Sequence, residues 1–314
     1  MQRLKDLVEA RIAAWCAGLP ALGLYPPMAY LLQLPAKRIR PIALLMAHEL
    51  YGGKAEDVLD EALGIELFHN FTLMHDDIMD ASPLRRGDAT VHVKWNTNAA
   101  ILSGDALLVK AYELLGRDPR ALRIFSQHAL EVCEGQQLDM DFELRDRVST
   151  AEYMEMVRLK TAVLLACSMR IGAALANAPE ADVERIGEFG ERIGLAFQLR
   201  DDLLDAFGDP QRTGKQRGGD LLAGKKTWIL IRGLEKERAD GLDALQVELR
   251  KEAGSRNVER MIEALGRSGV RAEAEALVQG LETKALEDLH VMNVPMERKA
   301  PLFVLADQLM ARTQ

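Results

Sequence analysis

Helix start and stop signals recur along this chain while alternating strand patterns barely occur, and that imbalance most limits the folds open to it. Pro41 can open a helix over IALLMAHELYGG, which Gly52-Gly53 can end. Ala55 to Asp80 reads as a further helix stopped by Ser82-Pro83, and Asp118-Pro119 starts another. Ser149 with Glu152 forms a capping box ahead of a helix running to about Asn177, and Pro179 opens the stretch after it. The best strand candidate, ATVHVKW from Ala89 to Trp95, alternates over a few residues only and reads as an extended connection. The expected fold is all-α.

The chain has 314 residues, 48% apolar but only 5% aromatic, which allows one large helical domain over 1–314 with an extensive core. Neither an internal repeat nor a linker rich in Pro, Gly or Ser breaks it up. A net charge of −8 argues against nucleic acid as a partner. Cys16, Cys133 and Cys167 lack CxxC spacing, which fits free thiols in a reducing cytoplasm. No signal peptide is evident, and the longest apolar stretch, Thr161 to Ala178, is interrupted by Arg170 and reads as a core helix. A soluble, cytoplasmic protein without a membrane span is expected.

Two copies of Asp-Asp-x-x-Asp lie 125 residues apart, Asp76, Asp77 and Asp80 in MHDDIMD and Asp201, Asp202 and Asp205 in RDDLLDAF. On a helix, residues four apart share a face, so Asp76 pairs with Asp80 and Asp201 with Asp205, while Asp77 and Asp202 point elsewhere. Carboxylates turned inward together are costly unless a cation compensates them. Magnesium suits such a set, because it prefers oxygen and bridges a few carboxylates to phosphates.

Basic groups recur beside these acids: Lys37, Arg38 and Arg40 in AKRIRP, Arg85 and Arg86 in LRRGD, and Lys225 and Lys226. Arginine offers a planar fork to phosphate oxygens and lysine a point charge, so the pattern favours one metal-bound diphosphate and one bound by Arg and Lys. The glycine-rich segment Gly208 to Gly224, with Arg212, Lys215 and Arg217, is placed to close over a phosphate. Its Gly219 to Lys225 stretch imitates a P-loop, but Lys226 stands at the Ser/Thr position and no strand precedes it.

These features resemble the trans-type isoprenyl diphosphate synthases, or polyprenyl synthetases, in family order. They are KxxR at Lys37 and Arg40, HxxxxxxDDxxD from His69 to Asp80, RRG at Arg85 to Gly87, GQxxD ending at Asp139, KT at Lys160-Thr161, FQxxDD from Phe197 to Asp202, and lysines at Lys215 and Lys225. The resemblance runs from about Lys37 to Lys226 and fades beyond. It implies a single-domain helical bundle of the isoprenoid synthase type with a central active-site cavity. It also implies that Asp76, Asp80, Asp201 and Asp205 ligate about three magnesium ions that hold an allylic diphosphate. Arg85, Lys160, Lys215 and Lys225 would grip the same group; Lys37, Arg40, His69 and Arg86 match positions that bind isopentenyl diphosphate. His69 lies seven residues before Asp76 and so shares its face.

By the same resemblance, the allylic carbon–oxygen bond breaks, Thr161 and Gln198 turn oxygen dipoles to the cation, the double bond of isopentenyl diphosphate attacks it, and the released diphosphate takes the final proton. Phe71 and Thr72, five and four residues before Asp76, match the floor of the tail pocket, with Phe68 one turn further on. One aromatic and no insertion in the first motif resemble the geranylgeranyl type, so a short product, geranylgeranyl or farnesyl diphosphate, is expected from a dimethylallyl, geranyl or farnesyl primer. Family members are typically homodimers. Ala36 stands where the family usually has glycine, and residues from Glu235 onward read as amphipathic support. The rival readings are a terpene cyclase, whose second motif is of another type, and a non-catalytic regulatory homologue.

Overall fold

The computed structural model describes residues 1–208 and 217–310. It is almost wholly helical, as the helix signals require, and forms two compact units. The first comprises residues 1–127, 167–187 and 294–301, the second residues 128–166, 188–293 and 302–314. No helix among the described residues is long and apolar enough to cross a membrane.

In the first unit, α1 (Gln2–Ala17), α2 (Tyr25–Gln33), α3 (Ile39–Leu50), α4 (Leu59–Met79), the short α5 (Val91–Lys94) and α6 (Thr97–Leu115) come first. Helix α4 lies antiparallel along α6, and a glycine at each end sets the spacing. A methyl on Gly64 would stand 2.9 Å from Leu115, and one on Gly104 would stand 2.3 Å from the His75 ring. Helix α3 starts two residues before Pro41, with Arg38 as its N-cap in the left-handed region at φ 53°. The stop of α4 is not made by Ser82-Pro83. Ala81 takes the left-handed position at φ 48°, and the Ser82 and Ala81 N–H groups bond back to the carbonyls of Asp77 and Ile78, a Schellman motif with alanine where glycine is usual. The expected extended connection from Ala89 to Trp95 is also corrected. Ala89 closes a two-stranded ribbon, Leu84–Arg85 with Asp88–Ala89, and Val91–Lys94 is helical. Arg86 and Gly87, at φ 56° and 88°, form its two-residue turn.

In the second unit, α7 (Pro119–Leu144) contributes its part from His128 and α10 (Glu180–Phe207) its part from Glu188. The Ser149–Glu152 capping box opens α8 (Thr150–Val157), and α9 (Val163–Leu175) follows it, with only its part up to Ala166 in this unit. Between α8 and α9 the single helix expected from sequence is broken by a π-helical stretch, Arg158–Ala162. The P-loop look-alike is a one-turn helix, Gly219–Ala223, between the left-handed Gly218 and Gly224. Apolar residues of α7, α8, α10, the one-turn helix and of Trp228–Ala239, Ala244–Leu249, Val258–Arg267 and Val270–Val291 make one core, in which Leu199, Ile229, Leu245, Met261 and Leu265 are all but fully buried. Glu282, on Val270–Val291, receives Arg200 at 2.7 Å, so the C-terminal helices brace the helix that carries the second Asp motif.

Candidate active site

In the first unit, Asp76 is half-buried near the end of α4, and Asp80 caps that helix one turn later, exposed. Asp77 turns inward instead, 2% exposed, and takes the Arg85 Nε at 2.8 Å on both carboxylate oxygens and Nη2 at 2.7 Å. That bidentate grip fixes the guanidinium, whose Nη2 lies 3.7 Å from Asp76 Oδ2. The ribbon's turn carries Arg86 next to it.

Lys37 is exposed and Arg40 half-buried at the start of α3. Arg40 Nη1 lies 3.3 Å from His69 Nε2. Arginine has no acceptor, so His69 Nε2 accepts and its proton sits on Nδ1. Burial, together with Arg40, Arg86, Arg85 and Arg38, holds the His69 pKa well below the ordinary histidine value. His69 is therefore a neutral donor within a cationic cluster. Phe71 is half-buried and meets the His75 ring edge-on at 4.8 Å. Phe68, 1% exposed, is packed between Phe71 at 5.6 Å and Phe125 at 5.0 Å, the environment of a core residue that backs Phe71. Thr72 Oγ1 donates to the His69 carbonyl at 2.8 Å.

In the second unit, Asp201 and Asp205 are half-buried one turn apart on α10. Asp205 Oδ2 also accepts the Asp220 N–H at 3.1 Å, which ties the one-turn helix Gly219–Ala223 to the motif. Asp202 is buried and accepts from Tyr153 Oη at 2.6 Å and from Gln198 Nε2 at 3.1 Å. Burial pushes its pKa up to about 6, against the pull of those two hydrogen bonds. Because the Gln198 nitrogen is committed to Asp202, its amide oxygen is the end turned away from that carboxylate. Lys160, in the π-helical stretch, pairs with Asp139 at 2.6 Å, and Thr161, half-buried, follows it. Desolvation of the Lys225 ammonium is outweighed by Asp139, Asp220 and Asp202, which raise its pKa above the ordinary lysine value. Lys215 lies outside the described residues.

No group of three His, Cys, Asp or Glu residues among the described ones is arranged to hold a metal alone. Each motif instead offers two carboxylates one turn apart. That is the donor set magnesium takes when water and substrate phosphates fill its remaining positions.

The polyprenyl synthetase family profile matches residues 23–265. The chain belongs to that family. A geranylgeranyl diphosphate synthase of Methanosarcina mazei is 46% identical over 220 residues, 68% of each chain. A short chain isoprenyl diphosphate synthase of Methanothermobacter thermautotrophicus is 34% identical over 99% of this chain and 97% of its own. A crystal structure of a geranylgeranyl pyrophosphate synthase superposes with a TM-score of 0.93 at 39% identity, covering 100% and 99% of the two chains. The fold is that of the isoprenyl synthases, and this polyprenyl synthetase is a prenyltransferase; the cyclase and regulatory readings find no support among these relatives.

Several pairings around this prenyltransferase's motifs escape sequence reading. Asp77, read as pointing elsewhere, anchors Arg85; Asp202 and Tyr153 orient Gln198; Asp139 pairs with Lys160. For Asp77 and Asp202 a signal exists, since the second Asp of each motif falls on the inward face of its helix. Nothing local marks the π-helical stretch, which appears where Gly135 of α7 comes against Leu159 and Lys160.

Proposed function

We propose that the whole chain, 1–314, acts as one polyprenyl synthetase domain in the cytoplasm, condensing isopentenyl diphosphate with a dimethylallyl, geranyl or farnesyl diphosphate. The product is geranylgeranyl or farnesyl diphosphate. The observation that carries this reading is the pair of aspartates one helical turn apart in each unit, with anchored cations in the same unit. Asp76, Asp80, Asp201 and Asp205 are the magnesium ligands, for about three ions. Bound there, magnesium would neutralise charge on the departing diphosphate. Arg85, held by Asp77, and Lys160 and Lys225, held among carboxylates, bind that same group, with Lys215 assigned to it from sequence. Lys37, Arg40, His69 and Arg86 bind the isopentenyl diphosphate. Gln198 and Thr161 turn oxygen atoms toward the allylic cation.

Incubation with geranyl diphosphate and magnesium tests this: elongated product is expected only when isopentenyl diphosphate is added, and turnover without it would point to a cyclase. Phe71→Ala is expected to lengthen the dominant product by at least one isoprene unit, read by chromatography, because it removes the half-buried ring that Phe68 and His75 support. An unaltered product spectrum would remove Phe71 from chain-length control and leave Thr72 and Phe68. A homodimer is part of the reading, supported by an apolar stripe on α6 in which Ile101, Leu102, Val109 and Tyr112 are all exposed. Sedimentation as a monomer would remove that part.

A further inference from the structure

We propose that Arg38 is a positioning residue for the isopentenyl diphosphate side, a buried guanidinium that sets the directions of Lys37, Arg40 and Arg86 without touching substrate; this rests on the reading of that side given above. In the run Lys37-Arg38-Ile39-Arg40, Lys37 is exposed, Arg40 half-buried and Arg38 only 3% exposed. The inversion coincides with an unusual backbone conformation. Arg38 is left-handed at φ 53°, a conformation costly for any residue with a Cβ, and its side chain is the most deeply buried of the three cations.

What holds it there is a full set of acceptors. Nε donates to Glu9 Oε1 at 2.9 Å on α1, and Nη1 to Glu66 Oε1 at 2.7 Å on α4. Nη2 donates to the carbonyls of Leu32 and Leu34 at the end of α2, and to Glu9 Oε2 at 3.4 Å. Two of those partners, Leu34 and Glu66, lead on to the site. The Leu34 carbonyl also takes Arg86 Nη1 at 3.5 Å, and Arg86 is itself left-handed in the ribbon's turn. Glu66, 1% exposed, also takes Asn70 Nδ2 at 3.0 Å and lies one turn before His69, the partner of Arg40. One guanidinium thus ties the middles of α1 and α4 and the end of α2 to the cluster. Lysine cannot replace it, since a single ammonium lacks the planar fork needed to reach both carboxylates and the carbonyls together.

The test is steady-state kinetics of Arg38→Lys and Glu9→Gln with each substrate varied separately, alongside thermal unfolding. Arg38→Lys is expected to raise the KM for isopentenyl diphosphate by roughly ten- to a hundredfold while the KM for the allylic diphosphate stays within about twofold. Glu9→Gln, at a site whose carboxylate is 39% exposed and tolerant, is expected to move the same constant in the same direction by less. Both KM values rising together, or a lowered unfolding temperature with the isopentenyl KM unmoved, would make Arg38 a plain structural anchor and overturn the proposal. If Arg38→Lys does not fold, Glu9→Gln decides alone: an unmoved isopentenyl KM overturns the proposal. Lys37→Ala and Arg86→Ala separate the two levels. If they raise the isopentenyl KM and the Arg38 and Glu9 variants do not, only this inference fails; if they leave it unmoved, the assignment of that side fails and this inference with it.

Discussion

Asp76→Asn is expected to lower kcat by about a thousandfold, near 4 kcal/mol of transition-state stabilisation, with little change in unfolding temperature. The amide keeps the size of the carboxylate but is a poor ligand for a hard dication, and the position is half-buried at a helix end, where packing asks little of it. Asp201→Asn is expected to behave alike on α10. The neighbouring Asp77→Asn should lower stability as well as rate, because the same carboxylate holds Arg85 in place. Its carboxylate is 2% exposed and chelates Arg85, and weakening one partner of such a pair leaves a charge uncompensated, at a cost of about 3–5 kcal/mol when the pair is broken outright. Adjacent residues of one motif thus separate a loss of rate alone from a loss of rate and stability together. Diphosphate-release kinetics with scanning calorimetry on the three variants reads both. Normal turnover by Asp76→Asn, or by the unmutated chain in excess EDTA, would end the metal-clamp reading.

Gly135→Ala is the second substitution with a large expected effect, and propensity alone predicts the wrong sign for it. Inside a helix, alanine in place of glycine gains about 1 kcal/mol. At this position the added methyl would stand 2.3 Å from the Lys160 nitrogen and 2.7 Å from the Leu159 carbonyl carbon. Those are backbone atoms and cannot swing aside, so overpacking of about 1–3 kcal/mol outweighs the gain. The atoms forced to shift belong to the π-helical stretch that presents Lys160 and Thr161, and misplacement by about 1 Å is worth up to a hundredfold in rate. Net destabilisation of up to about 2 kcal/mol in denaturant titration, together with a kcat lowered tenfold or more, is the expected pair of results. A variant more stable than the parent would show that the π-helical stretch yields freely and does not depend on this contact.

Much of the candidate site is legible in sequence because its ligands repeat at helical spacing. Asp76 with Asp80 and Asp201 with Asp205 fall on common faces wherever the helix signals place helices, and the capping box at Ser149 and Glu152 forms as read. The strand-like run from Val91 to Lys94 misleads for a physical reason: four residues are too few for the period to tell a short helix from an extended segment. Phe68, one turn beyond Phe71, is offered by the sequence as a further tail-pocket candidate, yet burial against Phe125 sets it apart from Phe71.

The order of the helices, the all-α class and the residue types at each proposed phosphate-binding position follow from the sequence by itself, because they depend on local periodicity, caps and the chemistry of carboxylate, guanidinium and ammonium groups. Which cations are already paired follows only from the tertiary structure. Arg85 on Asp77, Lys160 on Asp139 and Arg38 on Glu9 and Glu66 join residues 8, 21, 29 and 28 positions apart on different elements, so that no helical period relates one side chain to another. The left-handed turns at Arg38, Ala81 and Arg86 belong there too, since each is unfavourable alone and persists only where surrounding hydrogen bonds outweigh its cost.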